Sequence, residues 1–265
     1  MKRGINMLEK IFWNKKYSGF IWHLLLAGVF IGLSFLGWHF TEGVTWFLIS
    51  SFLRLVFGIA ILFTASKLYG RKPSDILSFK GSGKALVYGA GLTLFFLYVV
   101  IQVIAGFGVI VGLTTGIFIS RVILQQVTTG FYEEINYRFL MLEGLKHTKN
   151  NIWLRLAYIF ATSVLFGLSH CIPSWDTYRF LMTSAMGIGF AVMLVLSDNI
   201  VIPMLIHFLY DFVVHISSFM EWNLNPVFVF MGSAFEVALI IMVVISLVML
   251  VFLSRRGPEK ANQEL

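Results

Sequence analysis

Ionisable side chains interrupt the strongly apolar sequence of this 265-residue chain at only a few places. Glu133, Glu134 and Arg138 occur together in the run FYEEINYRFL. The spacing of four between Glu134 and Arg138 places them on one face of a helix, where they can form an ion pair. Glu133 points about 100° away from that pair, and a carboxylate left free in a region of low dielectric constant can serve as a general base. The alternative is an ion-pair network that only fixes helix packing.

Two further segments carry histidines. Phe166 and His170 in FGLSH share a helix face, and so do His207 and Asp211 in IPMLIHFLYDF, where the carboxylate can orient the imidazole or share a metal ion with it. Together with Glu133 these residues can hold a water molecule against a peptide carbonyl group, with imidazoles that bind zinc or donate to the oxyanion. The ordinary alternatives are a packed or interfacial histidine at position 170 and a buried hydrogen-bonded pair at 207 and 211.

The composition excludes a soluble protein. Hydrophobic residues make up 58% of the chain and charged residues 12%, whereas average soluble domains carry about 25% charged residues. The formal net charge is +7, but the Lys and Arg residues lie between apolar segments, where they orient helices in a bilayer. We therefore expect membrane lipid as a partner and no nucleic acid. The single cysteine excludes an internal disulfide.

The apolar segments predict an all-α, polytopic bundle of eight transmembrane helices that forms one membrane domain over residues 1–265. The predicted spans are 19–40, 44–66, 85–106, 117–145, 152–172, 178–197, 199–219 and 227–253. Basic residues occur at both ends of the chain and in alternate connections, which predicts that both termini are cytoplasmic. These residues are Lys2, Arg3, Lys10, Lys15, Lys16, Lys67, Arg71, Lys72, Lys80, Lys84, Lys146, Lys149, Arg155, Arg255, Arg256 and Lys260.

The three motifs EExxxR, FxxxH and HxxxD, in this order, resemble those of the CAAX-protease and bacteriocin-processing family, also called Abi, which includes the Rce1-type prenyl-protein endopeptidase. The resemblance covers about 117–219, the expected catalytic core. It implies that Glu133 activates the water, that His170 and His207 are the site histidines, and that the site is supported by Glu134, Arg138 and Phe166. Asp211 stands where the prenyl-protein enzymes have Asn, and its negative charge favours a metal ion or a protonated histidine over a neutral oxyanion donor.

The resemblance implies an intramembrane metalloprotease of the bacterial plasma membrane that cleaves a membrane-associated peptide or protein with glutamate-activated water. Zinc held by His170, His207 and Asp211 is the expected cofactor, with a metal-free mechanism as the alternative. Two other functions remain open. The protein can be a non-enzymatic scaffold or bacteriocin-immunity protein on the same fold, or a proton-coupled transporter, because buried Glu, His and Arg also build proton relays.

Overall fold

The computed structural model describes residues 11–148 and 151–256, and in this part of the chain it contains 11 helices. Five of them are long and apolar enough to cross a membrane, and a sixth span results if one bent pair is counted as a unit. The predicted all-α, polytopic membrane fold is therefore confirmed, while the predicted count of eight spans is approximate.

The helices follow one another with short connections. Their bounds are α1 Ser18–Phe40, α2 Gly43–Tyr69, α3 Pro73–Ile76, α4 Ser82–Tyr88, α5 Ala90–Ala105, α6 over residues 115–142, α7 Ile152–His170, α8 Thr177–Ser197, α9 Val201–Ser217, α10 Pro226–Ser233 and α11 Phe235–Arg256. Two short strands, β1 Val109–Ile110 and β2 Met220–Glu221, pair antiparallel, with Val109 opposite Glu221. They join the α5–α6 loop to the α9–α10 loop.

Each predicted span coincides with a helix or a pair of helices, but two of the spans are broken. The predicted span 85–106 is divided at Gly89 into α4 and α5, whose axes differ by 83°. The predicted span 227–253 is divided at Ala234 into α10 and α11. In addition, α9 has only 17 residues, about 25 Å of helix, which is short for a bilayer core of about 30 Å.

The central element is α6, which packs against α1, α2, α7, α8 and α9. It is not a uniform α-helix. Its segments are α-helical Thr115–Ile117, π-helical Phe118–Leu124, α-helical Gln125–Glu133, π-helical Glu134–Phe139 and α-helical Leu140–Leu142, followed by the 3₁₀ turn Glu143–His147. All six residues of Glu134–Phe139 are buried. Because π-helical turns change the face that successive side chains present, they often mark functional sites.

Two glycines allow the helices around α6 to approach closely. A Cβ atom on Gly130 would lie 2.9 Å from the carbonyl oxygen of Met204 and 3.2 Å from the backbone nitrogen of Phe208, both in α9. A Cβ atom on Gly58 of α2 would lie 2.5 Å from the ring of Phe131. The backbones of α6 and α9 are thus in contact one turn before Glu133.

The basic connections gather at one end of the bundle. Arg71 contacts both Glu143, at 3.2 Å, and Asp198, at 2.9 Å, and Lys146 forms ion pairs with the same two carboxylates. This arrangement is consistent with the predicted orientation, which itself stays a prediction. Some of the basic residues on which it depends lie outside the described residues: Lys2, Arg3, Lys10, Lys149 and Lys260, together with the side chains of Arg255 and Arg256.

We predict that Gly130→Ala destabilises the protein. The added methyl group meets backbone atoms of α9, which cannot rotate away, and overpacking of this kind costs about 1–3 kcal/mol. Thermal unfolding of the purified protein in detergent measures the change. Gly28→Ala in α1 is the control, because a Cβ atom there has no neighbour within 4 Å. Equal melting temperatures for the two variants would show that α6 and α9 are not in contact at Gly130.

Candidate active site

The three motifs converge on His207 of α9, whose exposed fraction is 4%. Its Nδ1 lies 2.8 Å from Oε1 of Glu134. Its Nε2 lies 3.6 Å from Oε2 of Glu133 and 3.5 Å from Oδ2 of Asp211. One imidazole therefore contacts three carboxylates, two from α6 and one from its own helix.

Glu134 has a larger role than its sequence spacing predicts. One of its oxygens forms the hydrogen bond to His207, while the other lies 3.5 Å from Nε of Arg138. The predicted ion pair with Arg138 is present, and Glu133 takes no part in it but lies against Nε2 of His207. The short hydrogen bond that orients His207 comes from Glu134, whereas the sequence suggests Asp211 for this role.

Arg138 is almost completely buried, and its guanidinium group is covered by aromatic rings. Its Cζ lies 3.9 Å from the ring centroid of Phe166 and 5.3 Å from that of Phe190. Nη1 and Nη2 have no hydrogen-bond partner in the described structure. A cation over an aromatic face in a desolvated site gains about 2 kcal/mol or more, which compensates part of this loss.

Phe190 of α8 is a supporting residue that the sequence motifs do not include. Its ring stacks on His207 with a centroid separation of 5.0 Å, so it covers one face of the imidazole. A phenylalanine in an apolar helix gives no signal of this role in the sequence. Gly187 and Gly189, just before it in the chain, allow close packing of α8: added Cβ atoms would lie 3.0 Å from Ser163 and 3.3 Å from Leu92.

His170 is the last residue of α7 and lies at the edge of the cluster. Its Nδ1 is 2.9 Å from the carbonyl oxygen of Phe166. A carbonyl oxygen only accepts, so Nδ1 carries a proton and Nε2 is left for another partner. The Phe166 ring is 4.5 Å from that of His170 and 6.0 Å from that of His207. Phe166 thus contacts both histidines, and the charge of Asp211 interacts with His170.

The placement of these side chains does not fit the expected zinc centre. In both histidines Nδ1 is engaged and Nε2 is available, which is common for imidazoles that bind zinc. However, within residues 11–148 and 151–256 no group of three or more His, Cys, Asp or Glu side chains is arranged to hold a metal ion. Zinc on His170, His207 and Asp211 stays a prediction from the sequence, and no chemical step below depends on it.

Arg54 of α2 adds a second guanidinium group to this part of the bundle. Its Nε and Nη1 are buried and have no hydrogen-bond partner among the described residues. Its charge interacts with Glu133 and Asp211, and its Cζ lies 6.0 Å from the ring centroid of Phe30. Arg54 belongs to none of the three motifs, although an arginine inside an apolar helix is itself a signal, because the bilayer makes it costly.

Comparison with known proteins matches part of the chain to a family model. Residues 115–213 match the Rce1-like family model, described as type II CAAX prenyl endopeptidase Rce1-like. The matched segment covers more than a third of the chain and contains every site residue predicted from the sequence, and it confirms the resemblance indicated by the three motifs. A search of curated proteins gives no match, and a search of solved structures gives none.

Glu134→Ala should destabilise the protein much more than Glu133→Gln. Removing Glu134 leaves Arg138 buried without a carboxylate partner, which typically costs about 3–5 kcal/mol, and frees Nδ1 of His207. Glu133→Gln is nearly isosteric and leaves the contacts of Glu134 intact. Abundance in membranes and melting temperature in detergent measure the difference. Similar values for the two variants would contradict this division of roles.

Proposed function

We propose that the protein is an intramembrane endopeptidase in which Glu133 activates the water that attacks the peptide bond. The observation that carries the proposal is that Oε2 of Glu133 lacks a hydrogen-bond partner among the described residues. This oxygen is buried and has no hydrogen-bond partner in the described structure, yet it lies 3.6 Å from Nε2 of His207. A buried acceptor of this kind is normally satisfied by an ordered water molecule, and such a water is in position to act as the nucleophile.

The reaction follows from the chemistry of these groups. Glu133 accepts a proton from the water while the water oxygen attacks the carbonyl carbon, which forms a C–O bond and an oxyanion. When the C=O bond forms again, the C–N bond breaks and the leaving nitrogen takes the proton from Glu133. His170, with Nε2 left for another partner, can form a hydrogen bond with the same water. Glu134 and Phe190 keep the His207 ring in one orientation throughout.

The proposed substrate is a membrane-associated peptide or protein. Large apolar side chains are exposed on the outer faces of several helices, for example Phe35 of α1, Phe63 of α2 and Ile240 of α11. In a membrane protein such surfaces face lipid, so substrates that partition into the bilayer reach the bundle most readily. The match to a family of CAAX prenyl endopeptidases supports peptide-bond hydrolysis but does not name the substrate of this chain.

A non-enzymatic scaffold is the second candidate, and one observation favours it. Glu134 is completely buried. Its Oε1 is hydrogen-bonded to His207, while its Oε2 lies 3.5 Å from Nε of Arg138 in an ion pair without a hydrogen bond. A network with this connectivity can be purely structural, with no role other than to hold α6 and α9 together. The two candidates differ in what they require of Glu133, because a scaffold has no use for a free carboxylate oxygen at that position.

We predict that cells carrying Glu133→Gln accumulate an uncleaved membrane precursor, because the amide cannot take the proton from water. Quantitative comparison of the membrane proteome with that of the wild type measures this accumulation and identifies the substrate. Glu236→Gln is the matched control, since Glu236 is an exposed carboxylate in the first turn of α11. An unchanged proteome, with Glu133→Gln present at the wild-type level, would favour the scaffold.

Chelation tests the zinc prediction. Because the described side chains offer no group of three ligands, we expect that a strong chelator leaves cleavage by the purified protein unchanged and that Asp211→Asn does not alter chelator sensitivity. Inhibition by the chelator and recovery with added zinc would instead show that the side chains rearrange around the metal. In that case Asp211→Asn should weaken metal affinity about 10- to 100-fold, as loss of a group that orients a ligand does.

A further inference from the structure

Arg54 lies outside the segment that matches the family model, yet it carries donors that nothing in the described structure uses. Buried N–H groups without acceptors cost free energy, and arginine inside a membrane helix is costly as well. Because Arg54 bears both costs, we expect an acceptor to bind to its free N–H groups. The groups whose charges act on Arg54 are Glu133, Asp211 and Tyr132, so this acceptor would lie beside the candidate active site.

The packing of α2 fixes the position of Arg54. Gly58, one turn after Arg54, lies against the ring of Phe131, which an added Cβ atom would approach to 2.5 Å. Phe131 precedes Tyr132 and Glu133 directly in α6. The contact between α2 and α6 therefore holds Arg54 near Glu133. Arg138, in contrast, is paired with Glu134.

The other groups of the site leave few donors free for an oxyanion. Glu133 and ionised Asp211 are acceptors only, and Nδ1 of His170 is already used on the carbonyl oxygen of Phe166. His207 uses Nδ1 on Glu134, and its Nε2 already lies between two carboxylates, 3.6 Å from Glu133 and 3.5 Å from Asp211. Arginine, in contrast, keeps its charge and its five N–H donors under all conditions.

We propose that Arg54 is a catalytic residue whose Nε–H and Nη1–H groups donate to the carbonyl oxygen of the scissile peptide bond and stabilise the oxyanion. The proposal rests on the proposed function, since it requires that a water activated by Glu133 attacks this carbonyl group. Arg54 transfers no proton. It holds the negative charge that forms on oxygen until the C=O bond is restored and the C–N bond breaks.

The test measures kcat and KM of the purified protein on the precursor that Glu133→Gln accumulates. Loss of one oxyanion donor typically lowers kcat about 10²- to 10³-fold, so we expect a loss of this size for Arg54→Gln, with KM changed only a few-fold. Arg54→Lys keeps a charged donor and should lose less. The control is Arg121→Gln, because Arg121 of α6 lies over the rings of Phe47 and Phe219 and belongs to no part of the proposed site. Its kcat should stay close to that of the wild type.

The outcomes separate this proposal from the proposed function. A wild-type kcat for Arg54→Gln, a higher KM with unchanged kcat, or an effect no larger than that of Arg121→Gln would overturn the role of Arg54 while cleavage by Glu133 stands. Retained cleavage by Glu133→Gln would overturn both the role of Arg54 and the proposed function. If Arg54→Gln unfolds at a lower temperature than the wild type, its kcat is measured well below its own melting temperature, where the variant is folded. A wild-type kcat for the folded variant then rejects the donor role, and a kcat lowered about 10²-fold or more supports it.

Discussion

The contacts of Glu134 determine the rest of the site. This carboxylate is completely buried, and a buried charge persists only where partners replace the water that it has lost. Its two oxygens meet this requirement on different helices, with Arg138 of α6 and His207 of α9. One residue thereby fixes the register between α6 and α9, holds the imidazole by Nδ1, and leaves Nε2 directed at Glu133 and Asp211. The glycine contact at Gly130 allows the two backbones to be this close.

The aromatic residues extend this cluster to the neighbouring helices. Phe166 covers the guanidinium group of Arg138 and contacts both histidine rings, and Phe190 stacks on His207. Arg138, whose ion pair is with Glu134, is thus stabilised by α7 and α8 as well. This explains the phenylalanine of the FxxxH motif in physical terms: it is the surface on which the buried cation lies, and it spaces His170 from His207.

The features that the sequence predicts are those determined by local geometry and composition. The bilayer requires long apolar helices, so the eight segments are visible from composition, and the pair Glu134–Arg138 follows from a spacing of four. The hydrogen bond between Glu134 and His207 joins residues 73 positions apart, and no local pattern encodes it. The π-helical turn at Glu134, the bend at Gly89 and the role of Phe190 were equally invisible, because each depends on how neighbouring helices pack rather than on residue type.

The charges of the cluster bear on whether it catalyses or only stabilises. Glu133, Glu134 and Asp211 supply three carboxylates, and Arg54 and Arg138 supply two guanidinium groups, so His207 decides whether the charges balance. A network selected for stability alone would pair its members directly, because unpaired buried charge is costly. Here Glu134 and Arg138 form an ion pair, although each keeps buried atoms without a hydrogen-bond partner among the described residues. Oε2 of Glu133 and two N–H groups of Arg54 are also buried without such partners, and their charges interact. The open acceptor on Glu133 and the open donors on Arg54 suit a molecule that enters with a proton to give and a carbonyl oxygen to bind, and water with a peptide bond is that combination.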